Sequence, residues 1–374
     1  MEKTYNYLRV YNDIKNGILT GEYGEGDRLP TESQLQTAYG VSRITVKKAM
    51  EMLSDEELVE RFPGKGTFVL RHKEQTVDLP HPSGIHQKPM IGVVMSGFGS
   101  IFGQSFLAGV AEETNRQGWS LLAGLVYSTL EEEQQIIQRQ QMCGAQGIIV
   151  MPVHTENGIS SAVVRAAMDG YPIVMADRYL EGIPLPYVGS DHAEAAYQAT
   201  QYLFSLGHKN IGLISSAPTT TAITDRESGY MKAYAMTKFR VHPEYLVPDI
   251  KSSMPGQNTH DNFRADVERM KRYYRENPAV TALLCIDYVI MKICETAARE
   301  VGIGIPSELS LVCFDAPSDG FAEYEYTHVC QPEREIGIQA VRMLLDVIRG
   351  DREPKRVLLP AELCVGMSSD RPGK

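Results

Sequence analysis

The sequence predicts an α/β protein in two parts, a small helical unit with a β-hairpin and a larger body built on parallel sheets. Three observations support this: apolar residues at helical spacing up to Leu58, a segment without periodicity at residues 71–89, and alternating strands and helices afterwards. A length of 374 residues suits two or three folding units. We therefore expect domains at residues 1–70 and 90–374, joined by a linker at 71–89.

Composition and charge exclude several classes of protein. Hydrophobic residues make up 43% of the chain and charged residues 22%, which is typical of a globular protein and not of a disordered one. No apolar run approaches the ~18 residues that a membrane span needs, and the first residues lack a signal-peptide profile. We therefore expect no membrane partner and a cytoplasmic location.

The charge distribution leaves nucleic-acid binding open. The net charge is −10, which by itself argues against such a partner, but a binding footprint needs only a local cluster. Between residues 28 and 50 the cations Arg28, Arg43, Lys47 and Lys48 stand against Glu32 alone.

Motifs for metal binding and catalysis are missing from the sequence. The six cysteines are scattered, with no close pair at metal or redox spacing, so we expect a reduced protein with no metal site and no cofactor. Neither GxSxG nor HExxH occurs, so we expect no enzyme and no catalytic residue. A remote alternative is a sugar-acting enzyme that uses Asp177 and Asp315 as a carboxylate pair.

The amino-terminal part has a helix-turn-helix pattern. Thr31 and Ser42 stand where two short helices would begin, and Gly40 supplies the turn between them. The second helix turns its apolar side chains inward and presents three polar ones, Arg43, Thr45 and Lys47, to solvent. Such a helix end suits the major groove of DNA, because Arg pairs with guanine while Lys and Thr hold phosphates. Solvated charges on an ordinary packing unit are the plainer interpretation.

Two β-prone runs between residues 58 and 70 flank a Pro-Gly-Lys-Gly turn and predict a small hairpin. Its tip, Gly64-Lys65-Gly66, is slim enough to enter a minor groove.

Residues 17–69 resemble the winged helix-turn-helix of the GntR family of bacterial transcription regulators. The stretches that carry the resemblance are GILTGEYGEGDRLPTESQL, YGVSRITVKKAMEML and LVERFPGKGTFV. One departure is Glu57, which stands where the family usually has glycine. The resemblance implies that DNA is contacted by the start of the first of these two short helices, by the second one, called the recognition helix, and by the hairpin, called the wing. The residues concerned are Glu32, Ser33, Ser42, Arg43, Thr45, Lys47, Gly64, Lys65 and Gly66.

After Pro89 the pattern predicts βαβ units and a parallel sheet, divided between two lobes. Helical stretches cover residues 102–117 and 193–206. The candidate strands are 91–95, 120–124, 147–151, 173–176, 187–188, 210–215, 282–285 and 310–314.

Polar residues follow several of these strands, at the sheet edge where open α/β folds bind ligands. Carboxylates accept hydrogen bonds from sugar hydroxyls, arginines donate to oxygens, and an aromatic ring can cover a sugar face. Asp191 is better explained as a helix cap, Asp287 could be one, and the two phenylalanines could be lobe packing. The candidate effector-binding residues are Phe98, Phe102, Asp177, Arg178, Arg226, Asp287 and Asp315.

Residues 90–368 resemble the LacI/GalR regulatory domain, which is similar to periplasmic sugar-binding proteins. The segments LGHKNIGLIS, DRESGYMKAY, GIPSELSLVCFD and THVCQPEREIGIQAVRML carry the resemblance. It implies a two-lobed, periplasmic-binding-protein-like fold with parallel sheets, crossed by the chain near Gly189, 329–332 and 349–351, with an effector in the cleft. Ile286 stands where the family often has asparagine, which removes a polar contact.

Together the two resemblances imply a dimeric transcriptional repressor that binds double-stranded operator DNA and is controlled by a small effector. Two-fold symmetry would place its heads on two half-sites. Carboxylates outnumber arginines among the candidates, which favours a neutral polyhydroxy ligand. The combination of the two resemblances implies a sugar such as L-arabinose. A purine, a phosphosugar or another polyol remain alternatives.

Overall fold

The computed structural model describes residues 6–19, 23–24, 26–56, 58–62, 65–70, 88–96, 102–127, 129–155, 158–217, 220–317 and 325–373. The chain divides into two compact units, Met1–His86 and Gln87–Lys374, called here the head and the body. The segment expected to be a linker, residues 71–89, lies outside the described residues, apart from residues 88–89. Within the described ranges, no helix is both long and apolar enough to cross a membrane.

Within its described residues the head has three helices and a two-stranded antiparallel hairpin. Thr31 and Ser42 cap the second and third helices as expected, through backbone N–H bonds from Gln34 and Thr45, and Gly40 takes a left-handed conformation between them. The helices are α1 (Asn6–Leu19), α2 (Glu32–Tyr39) and α3 (Arg43–Asp55), and the strands are β1 (Val59–Phe62) and β2 (Gly66–Val69).

The apolar face predicted for α3 forms the centre of the head. Val46, Ala49 and Leu53 are fully buried, and Met50 packs beside them half-buried. Residues 26–29 pair with β2, through bonds such as Leu29 N–H to the Thr67 carbonyl at 2.9 Å, and so widen the hairpin into a wing.

The body alternates strands and helices along the chain. Its first stretch contains β3 (Met90–Ser96), α4 (Gln104–Arg116), β4 (Ser120–Val126), α5 (Leu130–Met142), β5 (Ile148–Val150), β6 (His154–Thr155), β7 (Gly158–Ile159), α6 (Ser161–Met168), β8 (Ile173–Ala176) and β9 (Tyr187–Ser190). Its second stretch contains α7 (His192–Leu206), β10 (Ile211–Ser216), α8 (Thr221–Ala235), β11 (Leu246–Ile250), α9 (His260–Glu276), β12 (Ala282–Cys285), α10 (Tyr288–Val301), β13 (Ser310–Phe314), β14 (Thr327–Cys330), α11 (Glu333–Ile348), β15 (Arg356–Leu359) and β16 (Glu362–Cys364).

Two six-stranded sheets define two lobes of the body. The first lobe has the order β15-β9-β8-β5-β3-β4, with every pair parallel. The second lobe has the order β11-β10-β12-β13-β14-β16, parallel except for β16, which runs antiparallel to β14. The central strands are buried along their whole length, as helices on both faces require. The predicted two-lobed α/β class is confirmed.

The chain crosses between the lobes three times. The first two crossings, at residues 190–192 and 330–333, lie where the resemblance implied them. The third prediction was wrong: after α11 the chain stays in the first lobe and adds β15 beside β9, and it crosses only at Pro360 and Ala361. Strands β15 and β16 are short and half-exposed, so they give little sequence signal before they pair.

Candidate DNA-binding and effector sites

Helix α3 of the head presents the cations Arg43 and Lys47 on one exposed side. The side chains of Arg43 and Lys47 are 77% and 60% exposed, and they lie one turn apart. Thr45 is half-buried, and its hydroxyl lies 2.8 Å from that of Ser42. Both cations are therefore exposed as expected, and their contact with DNA stays a prediction.

Glu32 holds two arginines at this face. Its carboxylate lies 3.6 Å from Arg43 Nε and 3.2 Å from Arg61 Nη2, so one acidic residue at the start of α2 joins α3 to the wing strand β1. Arg61 was absent from the sequence prediction, because nothing local to it indicates that it meets Glu32. Ser33 is exposed beside this cluster.

The wing tip needs glycine at position 66. Gly66 has a φ of +123°, and a Cβ there would lie 2.6 Å from Arg28 Nε. Lys65 is exposed next to it. Gly64 and Glu57, which also figured in the prediction, lie outside the described residues.

Ile44 is a further exposed residue of the recognition helix that sequence reasoning missed. Its side chain is 80% exposed between Arg43 and Thr45. An apolar side chain in that position can contact the methyl group of thymine. The sequence did contain a signal for it: Ile44 is apolar but does not belong to the set of α3 residues that face inward.

In the body, each lobe places an aspartate directly after a central strand. Asp177 follows β8 and Asp315 follows β13, and each donates its N–H to a valine carbonyl of the next strand, Val188 or Val329, at 3.1 Å. Both have a positive φ, 62° and 56°, which costs a non-glycine residue of order 1 kcal/mol. Such strain is concentrated at functional sites, and here it occurs at equivalent positions of the two lobes.

Both aspartates belong to a chain of polar contacts, called here the inter-lobe polar chain. His192 Nε2 lies 3.3 Å from the Asp177 carbonyl oxygen, and Arg226 Nε donates to His192 Nδ1 at 3.3 Å. Arg226 Nη2 lies 3.8 Å from the Asp315 carboxylate. Gln331 Nε2 donates to Asp315 at 2.9 Å, while Ser190 donates to Gln331 Oε1 at 2.8 Å. Its members are Asp177, Ser190, His192, Arg226, Asp315 and Gln331.

The bonds of His192 fix its protonation state. Arg226 Nε can only donate, so Nδ1 accepts, and the ring proton resides on Nε2, which faces the Asp177 carbonyl. Burial, reinforced by the Arg226 guanidinium, holds the pKa of His192 well below its usual value. The imidazole is therefore neutral near pH 7.

Arg226 makes two further contacts, besides those with His192 and Asp315. Its Nη1 donates to the Ile286 carbonyl at 2.6 Å, and its guanidinium lies 4.0 Å from the centre of the Phe314 ring. The backbone of Ile286 thus serves as an acceptor, although its buried side chain offers no polar group. Burial raises the pKa of Asp315, and the Arg226 and Gln331 contacts oppose that shift.

The other predicted effector residues have different settings. Arg178 Nε lies 3.3 Å from the Asp177 carboxylate, so it joins the site. Asp287 caps α10 through the Ile290 N–H at 2.8 Å, and Asp191 caps α7, as their alternative interpretations expected. Phe102 packs half-buried against the first-lobe core.

Phe98 lies outside the described residues. Three members of the polar chain, Ser190, His192 and Gln331, were missed by sequence reasoning. Each stands at a lobe crossing, and that position is the signal that could have indicated them.

The arrangement suits ligand binding at the boundary of the lobes. Side chains from both lobes and from two crossings converge there, with acceptors on Asp177 and Asp315 and donors on Arg226 and Gln331. Hydroxyl groups need both kinds of partner.

Comparisons with known proteins agree with this architecture. Residues 6–69 match the gntR family of bacterial regulatory proteins, and residues 200–369 match the periplasmic binding protein-like domain. A dimeric Lac repressor with a C-terminal deletion superposes with a TM-score of 0.62 at 18% identity, covering 76% of this chain and 100% of that one. This likeness concerns the fold.

Similarity over nearly the whole chain is found with two transcriptional repressors of arabinose metabolism. The protein from Halalkalibacterium halodurans is 26% identical over 95% of this chain and 92% of its own. That from Geobacillus stearothermophilus is 25% identical over 93% of this chain and 92% of its own. These relatives are regulators, not enzymes. The head thus matches the gntR model, the later part of the body matches the periplasmic binding protein-like model, and the chain as a whole resembles the arabinose metabolism repressors over nearly its full length.

Proposed function

We propose that this chain is a sequence-specific transcriptional repressor whose affinity for operator DNA is controlled by a small effector bound between the lobes. The observation that carries the proposal is the inter-lobe polar chain. Its members come from both lobes and from two crossings, so a ligand that hydrogen-bonds to them changes the position of one lobe relative to the other. Ligand binding at that point biases a conformational equilibrium, which is what an allosteric regulator needs.

The head supplies the DNA-binding part of the function. Arg43 is placed to read a base edge from the start of α3, and Lys47 to neutralise a phosphate. The wing adds Lys65 at its tip, and Glu32 aligns Arg43 with Arg61 before DNA arrives. The further contacts proposed are Ser33, Ser42, Thr45, Gly64 and Gly66.

We propose a neutral sugar as the effector, with L-arabinose as the first candidate. The guanidinium groups of Arg178 and Arg226 lie 3.3 and 3.8 Å from the carboxylates of Asp177 and Asp315, and His192 is neutral, so among these residues no cation is left unpaired for the phosphate of a phosphosugar. Two relatives similar over nearly the full chain are named for arabinose metabolism.

We also propose that the protein acts as a homodimer. A solved Lac repressor of the same fold as the body is described as dimeric. A two-fold pair of heads would bind two half-sites, and effector binding would misplace them. Linkage requires that DNA and effector weaken each other's binding by the same factor, typically worth 1–3 kcal/mol.

The test begins with a duplex selected by the protein itself from a random pool. Fluorescence anisotropy of that labelled duplex is measured with protein, then with L-arabinose, D-xylose, D-ribose, adenosine and glucose 6-phosphate. We expect tight binding that L-arabinose releases and the other compounds leave intact. Release by adenosine or by the phosphosugar alone would show that the effector is a nucleoside or a phosphosugar and not a neutral sugar. Failure to select any duplex would refute the proposal that the chain is a sequence-specific regulator.

A further inference from the structure

The second lobe brings together a histidine and two cysteines on neighbouring strands. In the antiparallel pairing of β14 with β16, His328 lies opposite Cys364, and Cys330 lies opposite Glu362. Residues two apart on a strand point to the same face, so His328 and Cys330 share the face that Cys364 occupies. An imidazole nitrogen and the two Sγ atoms all lie within 4.8 Å of one another.

The backbone orients the histidine. His328 Nδ1 lies 2.8 Å from the Tyr326 carbonyl oxygen, which can only accept, so Nδ1 carries the proton and Nε2 keeps its lone pair. Histidines that bind metals usually donate their other N–H to a carbonyl or carboxylate in this way. The imidazole is buried, whereas both cysteines are free thiols reachable from solvent.

We propose that His328, Cys330 and Cys364 bind a thiophilic divalent metal ion, with Zn²⁺ as the physiological occupant. One imidazole and two thiolates are a donor set that zinc prefers, and three protein ligands leave its fourth position open. Zinc–ligand bonds of ~2.0–2.3 Å in a tetrahedron place the donor atoms ~3.5–3.8 Å apart. The donor atoms, which lie within 4.8 Å of one another, would therefore approach by about 1 Å on binding the ion.

The position of this cluster gives the metal a structural consequence. Cys330 immediately precedes Gln331, which bonds to Asp315 and Ser190, and the second crossing begins there. Cys364 ends the strand that follows the third crossing. A bound ion would therefore tie together the strands that carry two of the three crossings. The proposed metal site depends only on these three side chains. Any effect of the metal on the response to effector rests on the proposed function.

Cobalt provides the direct test, because thiolate coordination to Co²⁺ gives a charge-transfer absorption in the near ultraviolet. The full chain, reduced and freed of metal, is titrated with Co²⁺ and then with Zn²⁺. We expect one Co²⁺ per chain, thiolate absorption and displacement by Zn²⁺.

Cys330→Ser and Cys364→Ser should each lower the Co²⁺ affinity at least ~100-fold, because loss of a mere supporting residue already costs ~10–100-fold. Cys143→Ser is the matched control: Cys143 is an exposed cysteine at the end of α5 in the first lobe, and its loss should change nothing.

Alkylation of the unmodified chain covers the case in which a variant misfolds. Zn²⁺ should slow iodoacetamide labelling of Cys330 and Cys364 at least tenfold and leave Cys143 unaffected, as read by peptide mass spectrometry. Absence of thiolate absorption at stoichiometric Co²⁺, its persistence in both serine variants, or equal labelling with and without Zn²⁺ would overturn the site. None of these readouts depends on DNA or sugar, so failure of the proposed function is recorded separately.

Discussion

The head and the lobe boundary both depend on arginines, but they hold them in opposite ways. Arg43 at the head is 77% exposed and lies near the Glu32 carboxylate, which it shares with Arg61, whereas the Arg226 side chain is 9% exposed and contacts backbone, imidazole and carboxylate. The exposed arginine keeps its hydrogen-bonding capacity for a partner that is not yet present. The buried arginine maintains an arrangement that a ligand can perturb. Loss of Arg43 should therefore harm binding, and loss of Arg226 should harm both folding and regulation.

The largest effect is expected from Arg226→Ala. Removing one partner of a buried charged pair lowers the free energy of unfolding by roughly 3–5 kcal/mol. We expect the lower end of that range, because Asp315 can then take up a proton and is no longer a buried, unpaired charge. Urea unfolding should show this loss, and anisotropy should show operator binding that no longer responds to effector.

Lys232→Ala is the matched control on the same helix, α8. Lys232 is 55% exposed and pairs with Glu194 on the surface, so its removal should lower the unfolding free energy far less than Arg226→Ala does and leave the response intact. Equal unfolding free energies for the two variants would remove the distinction between buried and exposed charges.

Arg43→Ala should weaken operator binding by ~1–3 kcal/mol and relax the preference for one base, without changing stability. Lys47→Ala is the comparison within α3: it should weaken binding to selected and scrambled duplexes alike and reduce the salt slope by about one. Anisotropy on both duplexes at several salt concentrations checks this. If Arg43→Ala also lost affinity equally for both duplexes, Arg43 would be a phosphate contact.

The buried imidazole should make the body sensitive to mild acid. Because the folded-state pKa of His192 lies well below its unfolded value, the unfolded chain binds more protons as pH falls below ~6.5, and stability is lost. Between pH 7.5 and 5.5 this one group should account for a loss of unfolding free energy on the order of 1 kcal/mol.

His192→Gln tests that assignment with unfolding curves at both pH values. Glutamine offers an acceptor to Arg226 and a donor to the Asp177 carbonyl but does not titrate. The variant should lose less stability on acidification than the unmodified chain. His208, also buried with a lowered pKa, contributes to both curves and cancels in the difference. Identical acid sensitivity would exclude His192 as the cause.

The smallest effect concerns the capping residue of the recognition helix. Ser42→Ala should destabilise the head by about 1 kcal/mol, because the Ser42 hydroxyl accepts the Thr45 N–H. Ser42→Gly should destabilise the head by only a few tenths of a kcal/mol. Helical signal during urea unfolding checks the order, and an alanine variant as stable as the glycine variant would show that the cap contributes little.

Sequence patterns predicted the head more completely than the boundary. In the head the caps Thr31 and Ser42, the turn at Gly40 and the inward face of α3 are all confirmed, because each depends on neighbours within a few residues. The chain of contacts at the boundary was half predicted: Asp177, Arg226 and Asp315 follow from strand ends and resemblance, whereas His192 and Gln331 act through partners distant in sequence.

The third crossing shows the same limit within the fold. Residues after α11 have a turn signal at Gly350, but nothing there indicates that β15 will pair with β9 before the chain leaves the first lobe. Edge strands this short form because a partner strand is already in place.

The sequence by itself determined the division into head and body, the winged helix-turn-helix and the parallel α/β class, since these depend on local periodicity, capping and turn chemistry. Tertiary structure alone decided which polar groups meet. It placed Glu32 between Arg43 and Arg61, His192 between Asp177 and Arg226, and His328 beside two cysteines. The physical reason is that a hydrogen bond or metal ligand set depends on distances of a few ångströms, and these are set by sheet order and crossings that bring remote segments together.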